Sequence, residues 1–209
     1  MTDINLLVVV LSCAKHSNLW EGIINRKLPN LIILCGGSSE TKLEENILYL
    51  KCSDSYDGLS EKMMAAFEFI ASYEPFKTIT HILKADDHDT EFSKEQIEEI
   101  TIKHKDILNS QDYVGQNLIS TNYNYKTYHY GRTPTDSIWY NKPHAGYNPP
   151  FLAGGETYMF SRRSLNYLAE NKEDGHTYCS YEDIMVATIL LKYNIHPYKL
   201  DYGIKTWLG

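Results

Sequence analysis

Residues 4–13 form an almost unbroken apolar, β-branched run, Ile-Asn-Leu-Leu-Val-Val-Val-Leu-Ser-Cys, and no other feature restricts the possible folds as much. Successive side chains of a strand point to opposite faces, so a strand apolar at consecutive positions must be covered on both sides. That condition is met in the middle of a parallel sheet flanked by helices. The core of the run, 6–11, is too short to span a bilayer, and Asp3 ahead of it is wrong for a signal peptide.

The rest of the chain repeats the theme. Residues 31–35 and 47–52 predict short strands, with Gly36-Gly37-Ser38-Ser39 as a turn between them. Over 60–73, Met63, Ala66, Phe67 and Ile70 share one face of a helix. A strand at 78–85 follows. The next helix, 93–109, aligns Ile97, Ile100, His104, Ile107 and Leu108 and opens on a Ser93/Gln96 capping box. Residues 113–119 predict another strand, helix signals return at Ser161 and over 182–193, and 196–200 predicts a final strand. Alternating strands and helices imply an α/β fold with a mainly parallel central sheet, whose ligands sit beyond the strands' carboxyl ends. With 209 residues and 43% hydrophobic content, one domain is expected. The ending Trp207-Leu208-Gly209 has no polar tail, which suits one domain of a longer protein.

A net charge of −7 argues against a general nucleic-acid or anionic-membrane surface, since either needs clustered Lys and Arg. Cys13, Cys35, Cys52 and Cys179 lack CxxC spacing and read as reduced structural thiols, consistent with a cytoplasmic protein.

The strand at 78–85 runs into Asp86-Asp87-His88-Asp89, three carboxylates and an imidazole in four residues. Such crowding is costly unless a cation neutralises it. Asp87 and Asp89 supply hard oxygen ligands for Mn²⁺ or Mg²⁺, with His88 as an alternative borderline donor, and a metal held in this way commonly carries a ligand's phosphates. The competing reading is a solvated acidic turn ahead of the helix at Ser93.

Other blocks follow in a fixed order: Asp54-Ser55-Tyr56-Asp57-Gly58-Leu59-Ser60-Glu61-Lys62 before the acidic cluster, then Pro150-Phe151-Leu152-Ala153-Gly154-Gly155-Glu156-Thr157-Tyr158 to Ser161, then Tyr181-Glu182-Asp183-Ile184. This series resembles the glycosyltransferases of the GT-A (Rossmann-like) fold, and among them the β1,3-galactosyltransferase and fringe-like family. Its blocks look like D-x-Y-x-x-L-x-x-K, K-x-D-D-D, P-x-Y-x-x-G-G-x-Y-x-x-S and E-D-V. Leu11-Ser12-Cys13 with Asn18-Leu19-Trp20-Glu21-Gly22 is also similar to viral glycosyltransferase domains that act on a major capsid protein.

The resemblance implies a metal-dependent transfer of a hexose or deoxyhexose from a UDP-sugar, such as UDP-glucose or UDP-rhamnose, to a glycan hydroxyl, with a capsid glycoprotein as the viral acceptor. It divides the chain into a nucleotide-sugar half, 1–119, and an acceptor-loop and catalytic half, 120–209. It puts the nucleotide at Leu11, Ser12, Cys13, His16, Asp57, Lys62 and Asp86, the metal on Asp87 and Asp89, the sugar or acceptor at Gly154, Gly155, Glu156 and Glu182, and the general base on Asp183. The third Asp of the family's motif falls on His88 when aligned without a gap.

Each residue also has a structural reading. A helical lysine such as Lys62 is ordinarily solvated. Glycines 154 and 155 form an ordinary tight turn, and Ser180 with Asp183 makes a capping pair. Residues 120–150, rich in Tyr with Trp139, predict an acceptor surface and lid, since aromatic faces pack on sugar rings. His196 is a candidate late metal ligand, and His129, His144 and His176 carry no role. Two rivals share these features, a nucleotidyltransferase or other phosphate enzyme using the same carboxylates and a sugar-binding module without catalysis.

Overall fold

The computed structural model describes residues 3–88, 91–120, 133–142, 149–177 and 181–204. In the first part β1 (Leu6–Leu11), α1 (Ser17–Ile24), β2 (Ile32–Cys35), β3 (Lys42–Glu44), β4 (Ile47–Tyr49), α2 (Leu59–Ser72) and β5 (His81–Asp86) succeed one another. The second part holds α3 (Lys94–Lys103), α4 (Lys105–Ser110), β6 (Tyr113–Gly115), β7 (Leu118–Ile119), β8 (Phe151–Leu152), β9 (Tyr158–Ser161), α5 (Arg162–Glu170), α6 (Glu182–Lys192) and β10 (Tyr198–Lys199).

Eight strands make one sheet in the order β10-β6-β9-β5-β1-β2-β4-β3, parallel except that β9 runs against β5 and β6, and β3 against β4. Strand β1 lies inside the sheet and all six of its residues are buried. Leu7, Val9 and Leu11 pack with α2, α5 and α6, while Leu6, Val8 and Val10 face Trp20 of α1, Ile97 of α3 and Leu108 of α4. Each such side chain contributes roughly 1.5–3 kcal/mol when fully buried, which is why β1 carries no polar residue. The α/β fold with a mainly parallel sheet is therefore as expected, and it is GT-A-like.

Local differences have physical causes. The expected helix at 93–109 is two helices, broken at His104, whose backbone (φ −108°, ψ 16°) caps α3 and starts α4. The Ser93/Gln96 capping box is present in both directions. The expected strand at 113–119 is split between two sheets: Gln116 turns aside to exchange two hydrogen bonds with the Ile204 backbone, and β7 then pairs with β8. A Cβ on Gly115 would come within 2.9 Å of Leu152 and 3.0 Å of Tyr158, so only glycine lets these strands close up. The last strand is only Tyr198–Lys199. Strands β3, β8 and β9 and helix α1 have no counterpart among the elements expected from sequence; β3 is a polar edge strand, Lys-Leu-Glu, with no apolar alternation to betray it. Much of the expected lid at 120–150, and with it His129 and His144, lies outside the described residues. No described helix is long and apolar enough to cross a membrane.

Candidate active site

Strands β1 and β5 pair in register to their last residues, Leu11 opposite Asp86, so the segments beyond them emerge together. The Asp87 N–H donates to the Leu11 carbonyl at 3.1 Å, which carries the ladder one residue further and turns the Asp87 carboxylate inward, where it is 7% exposed. Its Oδ2 accepts from Ser12 Oγ at 2.6 Å and lies 2.7 Å from His16 Nδ1. Trp20 Nε1 donates to Ser12 Oγ at 2.8 Å and so orients that hydroxyl. His88 Nε2 is 3.6 Å from Asp87 Oδ1, and the two imidazoles meet edge to face at 4.8 Å.

The ligand atoms of His16, Asp87 and His88 all lie within 4.8 Å of one another. Two imidazole nitrogens and one carboxylate fit a divalent cation, and Mn²⁺, which tolerates nitrogen ligands, better than Mg²⁺, which demands near-ideal oxygen octahedra. His16, expected beside the nucleotide, is thus drawn to the acidic cluster, and His88 joins it as the ungapped alignment implied. Asp89 lies outside the described residues. His196 does not join the group: it is exposed after α6, with Nε2 3.3 Å from Asn194 Oδ1.

Beneath this cluster Lys62 is buried rather than solvated. The apolar packing of α2 carries it under the end of β1, where Nζ donates to the Ser12 carbonyl at 2.8 Å and to Asp54 Oδ1 at 2.6 Å. Asp54 also accepts from the N–H groups of Gly36 and Ala14, each at 2.8 Å. Burial works against its ionisation, but Lys62 and these two N–H groups prevail, and its pKa is lowered. A Cβ on Gly36 would stand 2.6 Å from the Ser53 carbonyl, so glycine is needed for this approach. Asp57 accepts from Ser137 at 2.5 Å and from Ser55, and these bonds outweigh partial burial to lower its pKa. Part of the 120–150 segment is thereby docked at the short turn that leads into α2. Of the thiols, Cys13, Cys35 and Cys52 are unpaired, and burial pushes Cys35 and Cys52 up to about 11; Cys179 lies outside the described residues.

Lys84 ties the strand end to the other half. It is fully buried in β5, and its Nζ donates to Asp86 Oδ1 at 2.6 Å, to Glu182 Oε1 at 2.8 Å and to the Gly154 carbonyl at 2.5 Å. Desolvation works against its charge, but the two carboxylates more than compensate and hold its pKa above the ordinary lysine value. The Gly154 N–H donates to Asp183 Oδ2 at 3.0 Å, and Ile184 N–H to Asp183 Oδ1 at 2.8 Å. Burial and the neighbouring charge of Glu182 push Asp183 up to about 7, against the pull of those N–H groups and Lys84. Tyr181 holds the N-cap position of α6, and Ser180 lies outside the described residues. Gly155 is exposed, while buried Glu156 accepts from Asn117 Nδ2 at 2.8 Å.

Lys84, Asp54 and Trp20 stand inside the sequence motifs, but the sequence reading gave none of them a role. Lys84 had a readable signal, since a lysine among apolar strand residues is buried only with partners.

No curated protein matches the chain. Among solved structures, a 2-C-methyl-D-erythritol 4-phosphate cytidylyltransferase from Thermus thermophilus is 8% identical, with TM-score 0.46, over 95% of this chain and 90% of its own. A 4-diphosphocytidyl-2C-methyl-D-erythritol synthase from Anaerococcus prevotii is 11% identical, with TM-score 0.46, over 100% and 94% of the two chains. The bifunctional IspDF of Campylobacter jejuni is 13% identical at the same TM-score over 97% of this chain and 52% of its own. Likeness at this level says nothing of shared chemistry. The galactosyltransferase family model, by contrast, matches residues 37–201, which takes in the Asp54–Lys62 block, the acidic cluster, Gly154-Gly155 and Glu182-Asp183. The chain therefore belongs to the galactosyltransferase family and is a glycosyltransferase.

Proposed function

We propose that the protein transfers a hexose or deoxyhexose from a UDP-sugar to a glycan hydroxyl, with a divalent cation, Mn²⁺ before Mg²⁺, held by His16, Asp87 and His88. The observation that carries this reading is the bridge through Lys84. It joins the strand end that carries the candidate metal ligands to the turn and helix end that carry Asp183. When bound, the cation supplies charge neutralisation for the departing nucleoside diphosphate.

The protein's own groups do the rest. Leu11, Ser12 and Cys13 offer backbone at the strand ends for the base and ribose, and Asp86 is the candidate ribose acceptor. Asp183, its pKa raised by burial and by the charge of Glu182, is a stronger base than an ordinary carboxylate and takes the acceptor hydroxyl's proton as that oxygen attacks the anomeric carbon. Direct displacement inverts the anomeric configuration. The cytoplasm is the proposed site of action. A capsid glycan as acceptor rests on the N-terminal sequence resemblance.

Calorimetry with UDP-galactose, UDP-glucose and UDP-rhamnose, with Mn²⁺ or with chelator, tests the donor. NMR of the product's anomeric proton tests the chemistry. Binding that is equal in chelator and Mn²⁺, or a retained configuration, would overturn the reading.

A further inference from the structure

We infer that Lys84 is a positioning residue for the transfer step: its ammonium holds the Gly154 turn and the start of α6 against the end of β5, and so sets where the Asp183 carboxylate stands relative to the donor. This rests on the function proposed above. Lys84 is 0% exposed, and its three contacts, at 2.5 to 2.8 Å, reach three separate elements: Asp86 at the end of β5, the Gly154 carbonyl in the turn before β9, and Glu182 in the first turn of α6. The same turn completes the chain of contacts, because the Gly154 N–H is one of the two backbone donors on Asp183. One peptide segment is therefore gripped through its carbonyl by Lys84 and through its N–H by Asp183.

The arrangement leaves little slack. A Cβ on Gly154 would lie 2.1 Å from Glu182 Oε1, the oxygen that Lys84 holds. The Lys84 ammonium also lies 5.5 Å from the centre of the buried Tyr158 ring, a cation–π contact from the strand alongside. One cation faces two carboxylates, Asp86 and Glu182, so the pocket is anionic before Asp183 is counted. A buried ammonium needs its donors satisfied, and here the three partners, Asp86, the Gly154 carbonyl and Glu182, belong to segments that border the candidate site.

The groups that bear on Asp183 are Glu182 beside it on α6, Lys84 from β5, the N–H groups of Gly154 in the turn and Ile184 on α6, and the buried phenols of Tyr113 on β6 and Tyr158 on β9. Lys84 is the cation among these groups and favours the ionised carboxylate. Loss of Lys84 thus shifts the Asp183 titration to higher pH, and loss of the Glu182 charge shifts it to lower pH.

The test compares Lys84→Met and Glu182→Gln with the wild-type protein. For Lys84→Met the expected result is UDP affinity, by calorimetry with Mn²⁺, within about threefold of wild type, kcat lower by roughly 10²-fold, and the acid limb of the kcat profile moved to higher pH. Affinity and kcat falling in parallel, or an unmoved acid limb, would overturn the inference and leave Lys84 a structural ion-pair partner. Should Lys84→Met fail to fold, Glu182→Gln, which keeps the side-chain shape, decides: an acid limb moved to lower pH supports the network and an unmoved one overturns it. If the wild-type protein turns over no UDP-sugar, the functional reading fails by itself. The ¹³C carboxyl titration of Asp183 in the resting protein then decides the positioning claim by the same two shifts.

Discussion

His16 Nδ1 stands 2.7 Å from Asp87 Oδ2, joining the turn after β1 to the turn after β5 across 71 residues of chain. The pair exists because Leu11 and Asp86 are partners in a parallel register, so both turns begin at the same level of the sheet. Histidine and aspartate side by side at a strand end make a mixed nitrogen and oxygen donor set, and His88 extends it.

Asp87→Asn is expected to weaken Mn²⁺-dependent UDP binding by at least about tenfold, since it removes the anionic oxygen from a hard cation's coordination set. His16→Ala should weaken Mn²⁺ more than Mg²⁺, because Mn²⁺ accepts an imidazole nitrogen more readily than Mg²⁺, which demands near-ideal oxygen octahedra. Metal titrations by calorimetry read both, and a Mg²⁺ loss as large as the Mn²⁺ loss would remove His16 from the ligand set.

Asp183→Asn should lower kcat by roughly 10²-fold while UDP-sugar affinity holds, the usual scale for loss of a positioned base. The pH dependence of stability has a definite sign. The carboxyl is raised from 3.8 to about 7, so the folded state holds its proton more tightly than the unfolded chain does, and stability falls as pH climbs between those values. The melting temperature of Asp183→Asn relative to wild type should therefore be more favourable at pH 8 than at pH 5. An unchanged difference would place the Asp183 pKa near its ordinary value.

Lys62→Met should cost about 3 kcal/mol at pH 7, as expected when one partner of a buried ion pair is removed. The Asp54 pKa is lowered, so the stability it contributes is present above the unfolded value of 3.8 and lost as pH falls through the folded one. Urea denaturation should find the gap between variant and wild type narrowing below about pH 4. A constant gap would mean that Lys62 acts through packing alone.

Two glycines give opposite expectations. Gly154→Ala would drive its methyl onto Glu182 Oε1, an atom Lys84 holds in place, and should destabilise by about 1–3 kcal/mol. Gly22→Ala meets nothing within 4 Å in α1 and should stabilise by about 0.5–1 kcal/mol, since alanine loses less chain entropy in a helix. Denaturant midpoints measure both, and a neutral Gly154→Ala would show that the Glu182 position is loose.

Much of the architecture could be read from local pattern. The run at 4–13 required a strand covered on both faces, and β1 is buried at every position between two helical layers. The period of Met63, Ala66, Phe67 and Ile70 required a helix with one buried face, and α2 buries all four. These are properties of neighbouring residues, with periods of two or 3.6, and a single chain displays them directly. The strand-end position of Asp86 and Asp87 followed in the same way, because the mostly apolar run before them stops at Ala85, one residue before β5 ends.

What a residue touches across the sheet is a different matter. Lys62 in sequence is one of many helical lysines; only the packing of α2 under β1 turns its ammonium to the Ser12 carbonyl and Asp54. Lys84 meets Glu182 across 98 residues because β9 is inserted antiparallel between β5 and β6 and brings the Gly154 turn and the start of α6 to the end of β5. Likewise the splitting of the 113–119 strand depends on Gln116 finding the Ile204 backbone 88 residues later. The sequence by itself determined the long buried strand, the amphipathic helix α2 and which strand end carries the acidic cluster, but not β3, α1 or the break at His104. Only the tertiary structure decided which imidazole joins Asp87 and which ammonium bridges the two halves, because those pairings depend on strand order and register, and neither is written in the spacing of neighbours.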